Sequence, residues 1–357
     1  VAATEEVLVP LQGQAAYPVL EVIPSVLDFG WIEPLSTANE SFTLRNAGYA
    51  DLDITNTLVI ANEFVQIDSL SLPITLSPGE EIEVGMSYSP LTLGQHVGEF
   101  YVQNSSLAPT IMAQMEGGAS DQPIAVCSVN PEETVPLRGS ADWMGENSYD
   151  PGGAVINEFN WRLITAPSGS QAAMPSGTFN RYSFIPDLAG TYVAELIVYN
   201  EYGRASEPCF AELSVIPEEN LWIEMFWDRP NDDMDLHLLS PIGSLESNQD
   251  CYYMNCVGGN LDWGVPGLTD DDPSLDIDDI PGTGPENINV LDPQDGSFKV
   301  YVHDYPGSVY GPANDVTVRV YVGGVMEYEE TKPISGEDTY TLFATIEWGE
   351  EPNVIAH

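Results

Sequence analysis

The sequence predicts an all-β protein of three consecutive β-sandwich domains in an extended array. Three observations lead there. Apolar and polar residues alternate over short runs, as in VLDFGWI, SFTLRN and YTLFATIEW. Pro and Gly, 28 and 31 of the 357 residues, punctuate these runs with turn signals roughly every eight to twelve residues. Finally, VLVPLQGQA at residues 7–15 is echoed by IMAQMEGGA at residues 111–119, with Gly13 matching Gly117 and Ala15 matching Ala119. Each phrase is followed by a short linker into a Pro and a new apolar run, the mark of an internal repeat.

Residues 1–16 are expected to be the last strand of a preceding or neighbouring domain, because residues 17–120 already carry their own copy of that strand. Val7, Leu8, Val9 and Leu11 would be its pairing side. It could pair with an upstream domain, be donated to a neighbouring copy of the chain, or lie as an extra edge strand on its own domain. Residues 17–120 then form the first full sandwich, 121–218 the second and 219–349 the third, with 350–357 as a tail. Linkers are expected near Ala119–Pro123 and Pro217–Leu221.

The phrases of the first domain, LDFG at Leu27–Gly30, LRNAG at Leu44–Gly48 and SPGEE at Ser77–Glu81, resemble the Hydin-like, ASH-type immunoglobulin-like domain of bacterial surface proteins. That resemblance implies an Ig-like sandwich acting as a spacer or docking module. In the second, NSYDPGGAVINEFNWRLITAPSGSQA and FIPDLAGTYVAELIVYNEYG look like a polycystic-kidney-disease (PKD) domain. There ADWMGEN separates Gly139-Ser140 from Ser148, and Trp161 is expected to anchor the core. The third is similar to an Asp-rich β-sandwich of secreted proteins of marine and gliding bacteria, in which the phrases DMDLH and SLDIDD recur around a Cys pair.

Nine Lys+Arg face 56 Asp+Glu, a formal charge of −47. Phosphate binding needs a basic footprint, so nucleic acid is excluded as a partner. Anionic membrane surfaces should repel the chain, and no membrane-length apolar run is present. Four cysteines that can pair as Cys127 with Cys209 and Cys251 with Cys256 fit an oxidising, extracellular setting at a bacterial cell surface. The chain begins with Val and carries no signal peptide, so a processed product or an excerpt of a longer chain is expected.

The acids cluster locally. Between Arg229 and Lys299 there is no Lys or Arg, yet the stretch holds NDDMDLHLL and TDDDPSLDIDD. Two carboxylates ~4–5 Å apart at an effective dielectric of ~20 repel by roughly 3–4 kcal/mol. A strand period of two places Asp233, Asp235 and His237 on one face of the first run, with Met234, Leu236 and Leu238 on the other. The same period pairs Asp276 with Asp278 in the second. Two strands each offering two carboxylates suit a hard cation, and Ca²⁺ is the expected cofactor. Asp228, Asp232, Asp270, Asp271, Asp272, Asp279 and Glu286 are further candidate ligands from the loops. In CYYMNC a local disulfide stands against a thiolate zinc site with His237 or His303; the oxygen-rich surroundings favour the disulfide.

Neither a G-x-S-x-G elbow nor an H-E-x-x-H helix occurs, and the chain is not expected to be an enzyme. The function read from the sequence is an extracellular structural protein of a bacterial surface or filament, stabilised by Ca²⁺ and polymerising through its N-terminal strand. The alternative is an adhesin or carbohydrate-binding segment of a larger secreted protein, with Tyr252, Tyr253, Trp263, Tyr305 and Tyr310 stacking on a glycan.

Overall fold

In the computed structural model, residues 16–357 are described apart from 68–69, 175–176, 260, 281 and 308–312. The expected N-terminal strand, with Val7, Leu8, Val9 and Leu11, lies outside the described residues. Among those described there are 26 strands and no helix. They build three pairs of sheets. The chain packs as two units, one holding residues up to Ile124 together with 149–157 and 198–206, the other holding the rest.

The first sandwich is built from β1 (Leu20–Ile23), β2 (Val26–Ile32), β3 (Ala38–Asn46), β4 (Leu52–Ile60), β5 (Phe64–Gln66), β6 (Ile74–Leu76), β7 (Glu81–Tyr88), β8 (Gly94–Asn104) and β9 (Thr110–Ala119). One sheet runs β1-β3-β7-β5 and the other β2-β9-β8-β4-β6. The repeated phrase at residues 111–119 lies in the interior strand β9, which pairs antiparallel with β8 and parallel with β2. Pro24 separates β1 from β2, and its missing N–H interrupts the ladder where the chain changes sheets. The motif residues have structural work. Gly30 of LDFG adopts φ 66° at the bulge of β2, with its N–H on Asp28 Oδ1 at 2.8 Å. Asn46 of LRNAG is buried and donates to the carbonyls of Ala50 and Leu76, both at 2.8 Å. A side chain on Gly117 would strike the Tyr88 ring, which explains the glycine at that point of the repeat.

The second sandwich comprises β10 (Ser128–Asn130), β11 (Glu133–Thr134), β12 (Ala141–Met144), β13 (Ile156–Thr165), β14 (Arg181–Phe184), β15 (Gly190–Asn200) and β16 (Cys209–Val215). Its sheets are β10-β12-β14 and β11-β16-β15-β13. The ADWMGEN phrase supplies β12, between β10 and β14. Its Trp143 is fully buried, 6.2 Å from the Trp161 ring, so two tryptophans anchor the core where the sequence pointed to one. Cys127 and Cys209 form the expected disulfide.

The third sandwich holds β17 (Leu221–Trp227), β18 (Met234–Leu239), β19 (Asp250–Cys251), β20 (Pro273–Ile277), β21 (Glu286–Val290), β22 (Gly296–Asp304), β23 (Asn314–Val322), β24 (Val325–Ile334), β25 (Thr339–Trp348) and β26 (Asn353–Ala356). The sheets are β20-β21-β17-β23-β24 and β19-β18-β22-β25-β26. Residues 350–357, expected as a tail, instead contribute edge strand β26. NVIA can extend the ladder of β25, and His357 closes it with a 2.7 Å bond to Thr345 Oγ1.

Every residue of β17 is buried. Alternation sends Leu221, Ile223, Met225 and Trp227 into the core of the third sandwich. The opposite side is covered by the second sandwich, whose Ala189 and Leu137 pack on Trp222 and its β23 neighbour Tyr321. Arg138 bridges the same junction, ion-pairing with Glu219 and lying over the Trp222 ring. Buried Arg319 donates to the carbonyl of Ser168 at 3.2 Å and lies over Phe226. The expected linker Pro217–Leu221 therefore runs inside this unit.

Removing a fully buried aromatic ring costs about 3–5 kcal/mol. Trp143→Ala is expected to lower stability by that amount in denaturant unfolding. A loss below about 1 kcal/mol would show that β12 is not core.

Candidate metal centre

The site grows from the open edge of β18. Met234, Leu236 and Leu238 are fully buried in the core, as the alternation requires, and Asp235 and His237 turn the other way. Only Leu238 and Leu239 pair with β19. The Leu236 N–H, left without a strand partner, donates to Glu286 Oε2 at 2.8 Å. Glu286 opens β21 and also accepts from the Asp279 N–H at 3.3 Å. Asp278, just past β20, reaches the same place. One carboxylate oxygen from each of Asp235, Asp278 and Glu286 lies within 4.8 Å of the others. Oxygens on opposite sides of a Ca²⁺ ion, at ~2.3–2.6 Å each, sit about 4.6–5.2 Å apart, so the three fit one coordination sphere.

Among the described residues, no Lys or Arg pairs with Asp233, Asp235, Asp278 or Glu286. Asp235 Oδ2 lies 3.5 Å from His303 Nδ1. Asp233 Oδ1, Asp235 Oδ2 and Asp278 Oδ1 are buried with no hydrogen-bond partner. Ionisation is correspondingly resisted. Burial, then the charges of Asp235 and Asp278, pushes Asp233 up to about 7. Burial and Asp235 raise Glu286 well above the ordinary carboxylate range, and Asp278 is raised for the same reasons. Burial and Asp232 push Asp304 up to about 6. Acids that cannot all ionise together, with oxygens aimed at one point, are suited to a divalent cation.

The structure divides the ten aspartates named from the sequence. Asp235 and Asp278 join the group, and Asp233 stands beside it. Asp276 does not join. A bulge between Leu275 and Ile277 breaks the period of two, and the Asp276 carboxylate turns to Asn287 Nδ2, Asn289 Nδ2 and the Arg138 guanidinium at 3.1–3.3 Å. Asp228 and Asp270 are exposed. Asp271 and Asp272 accept the Val265 and Trp263 N–H groups at 2.6 Å, so they hold their own loop. Asp232 takes the Asn314 amide at 2.9 Å, and Asp279 closes the turn into β21 through Gly282 and Gly284.

The register of β18 on β22 sets Asp235 opposite His303 and Met234 opposite Asp304, so the histidine comes to the acid group, while Asp304 sits with Asp232 and Glu337 outside it. Nothing in YVHDY announces that pairing.

Cys251 and Cys256 are joined, with Cα atoms 5.0 Å apart, so neither offers a thiolate to zinc. The loop they close carries Tyr252, whose ring stacks on His237 at 4.8 Å. Trp263, named from the sequence as a glycan platform, is instead a core residue at 1% exposure. Tyr310 lies outside the described residues.

Residues 18–118 match the family model described as HYDIN/CFA65/VesB-like, Ig-like domain, and this stretch is a Hydin-like Ig-type domain. Among solved structures, the ASH / PapD-like domain of human CEP192 (PapD-like domain 7) is 17% identical and covers 33% of this chain and 96% of that one, with a TM-score of 0.24. The VesB protease of Vibrio cholerae is 20% identical and covers 28% of this chain and 32% of that one, with a TM-score of 0.25. The secreted serine protease VesC of Vibrio cholerae is 12% identical, over 86% of this chain and 49% of that one, with a TM-score of 0.24. The chain thus spans a third to a half of those two proteases.

A carboxyl whose folded value is raised keeps its proton in the fold after the unfolded chain has lost it. Without divalent ions, the contribution of Asp233 to stability is therefore full below about pH 4 and lost as pH rises through about 7. Asp233→Asn is expected to melt above the wild type in chelator at pH 8 and to converge with it near pH 4. Paired thermal scans across that range check this, and a variant that melts lower at pH 8 would contradict it.

Proposed function

We propose that this chain is a non-catalytic, extracellular structural segment of a bacterial surface or filament whose third sandwich is closed by Ca²⁺. The observation that carries the proposal is the meeting of Asp235, Asp278 and Glu286 within 4.8 Å, without a Lys or Arg partner among the described residues. An oxygen-only donor set favours a hard cation over zinc or copper. Ca²⁺ tolerates six to eight ligands in irregular array, whereas Mg²⁺ demands a tighter octahedron. Asp235, Asp278 and Glu286 would bind it directly, and Asp233 stands next to them with an uncommitted oxygen. The ion would offset the repulsion that otherwise leaves this end of the sandwich partly protonated.

Two disulfides support an oxidising compartment. The VesB-like Ig domain, and a similar chain whose name calls it secreted, are in keeping with that setting. The matching phrases at residues 7–15 and 111–119 support a further part of this reading. Val7, Leu8, Val9 and Leu11 would enter the sheet of a neighbouring copy, as β9 enters its own.

Calcium at about a hundred times its dissociation constant is expected to stabilise the protein by ~2.7 kcal/mol, read as a rise in melting temperature against chelator. Asp235→Asn combined with Glu286→Gln should abolish the rise. An unchanged melting temperature on chelation would remove the metal from the proposal. For the strand, deletion of residues 1–16 is expected to convert multimers to monomers in light scattering; assembly that survives the deletion would assign polymerisation elsewhere.

A further inference from the structure

Beside the acid group, and distinct from it, the third sandwich holds a cavity of about 380 Å³. Its floor is His237 on β18, whose side chain is 1% exposed. Asp250 Oδ2 lies 2.8 Å from His237 Nδ1. A carboxylate only accepts, so His237 Nδ1 donates to it, and the pair fixes the ring in the cavity wall.

The rest of the lining is aromatic and acidic. Tyr252 stacks on His237, and Tyr340 stacks on His303 at 4.1 Å. Tyr253 and Tyr305 meet edge to face at 5.7 Å. The two carboxylates of the lining, Glu246 and Asp338, sit at φ 61° and 59°, left-handed conformations that a side-chain-bearing residue rarely adopts. No Lys or Arg lines the cavity. Glu246 accepts from the Tyr340 hydroxyl at 2.6 Å and Asp338 lies 3.3 Å from His303 Nε2; two carboxylates against that one imidazole leave the lining net negative even when the ring is protonated.

We propose that this cavity is a binding site for an organic ammonium group, the head of a small amine or of a lysine side chain. Its N–H groups answer the Glu246 and Asp338 carboxylates, and its positive charge lies against tyrosine rings, which attract cations to their faces. Anionic ligands are repelled. A neutral sugar would leave the charge of the site unanswered. The loop tied by Cys251–Cys256 holds Tyr252 and Tyr253 in place before any ligand arrives.

The test is calorimetric titration of the full chain in saturating Ca²⁺, which keeps the probe off the acid group. Three probes are used at constant ionic strength: n-butylammonium, a short peptide with one lysine, and methyl glucoside. Saturable one-to-one binding of the butylammonium ion is expected, at least tenfold tighter than the glucoside. Asp338→Asn and Tyr305→Ala should each weaken it at least tenfold. Both residues reach solvent, 71% for the Asp338 side chain and 37% for Tyr305, so both variants should keep the wild-type melting temperature. Equal affinity for amine and peptide identifies a free amine as the ligand, and a tenfold preference for the peptide identifies a lysine side chain; both sustain the proposal. No saturable binding, glucoside binding as tight as the amine, or affinity indifferent to both substitutions overturns it. A failed Ca²⁺ effect in the melting experiment would leave this result readable, because only binding in the cavity responds to Asp338→Asn and Tyr305→Ala.

Discussion

Like charges brought together out of water constrain this molecule more than any other interaction. Asp235, Asp278 and Glu286 come from β18, the end of β20 and the start of β21, which belong to both sheets of the third sandwich. Each must be carried inward for the hydrophobic residues beside it to pack: Leu236 beside Asp235, Ile288 two places from Glu286. Core formation and charge gathering are thus one event. The price of closing the sandwich is set by whatever neutralises the acids, a proton or a cation.

The same scarcity of positive charge shapes the junction of the second and third sandwiches. Of nine basic residues, Arg138 and Arg319 are both placed there. Each serves an acid and an aromatic face at once. Glu224, buried between them, is held by the Ala189 N–H at 2.7 Å and the Trp222 indole at 3.0 Å. Burial pushes it up to about 7. Where a guanidinium was available, the fold used it to lock modules together. Around Asp235 no guanidinium pairs with the acids among the described residues, and they face one another.

Much of the fold was legible because strand alternation is a local property. The core side of DMDLHLL, the β9 phrase and both disulfides follow from residue order and spacing. What escaped depends on pairing. Asp276 was assigned to the site because SLDIDD alternates on paper; one bulged residue in β20 sends it to Arg138 instead. The contact of His303 with Asp235 was overlooked because only the register of β22 against β18 brings them together. ADWMGEN read as an interruption because its strand is four residues long, and NVIA read as a tail because an edge strand needs a neighbour to be recognised. The acids that hold the Trp263 loop looked like ligands, since a carboxylate that caps backbone amides and one that binds a metal are the same in sequence.

In the first sandwich, β2 and β9 run parallel, one near the point where the chain enters the domain and the other where it leaves. A pull on the two ends would slide these strands along each other, loading the bonds of the ladder simultaneously instead of opening them one after another. Such a domain yields to tension reluctantly, whatever its equilibrium stability.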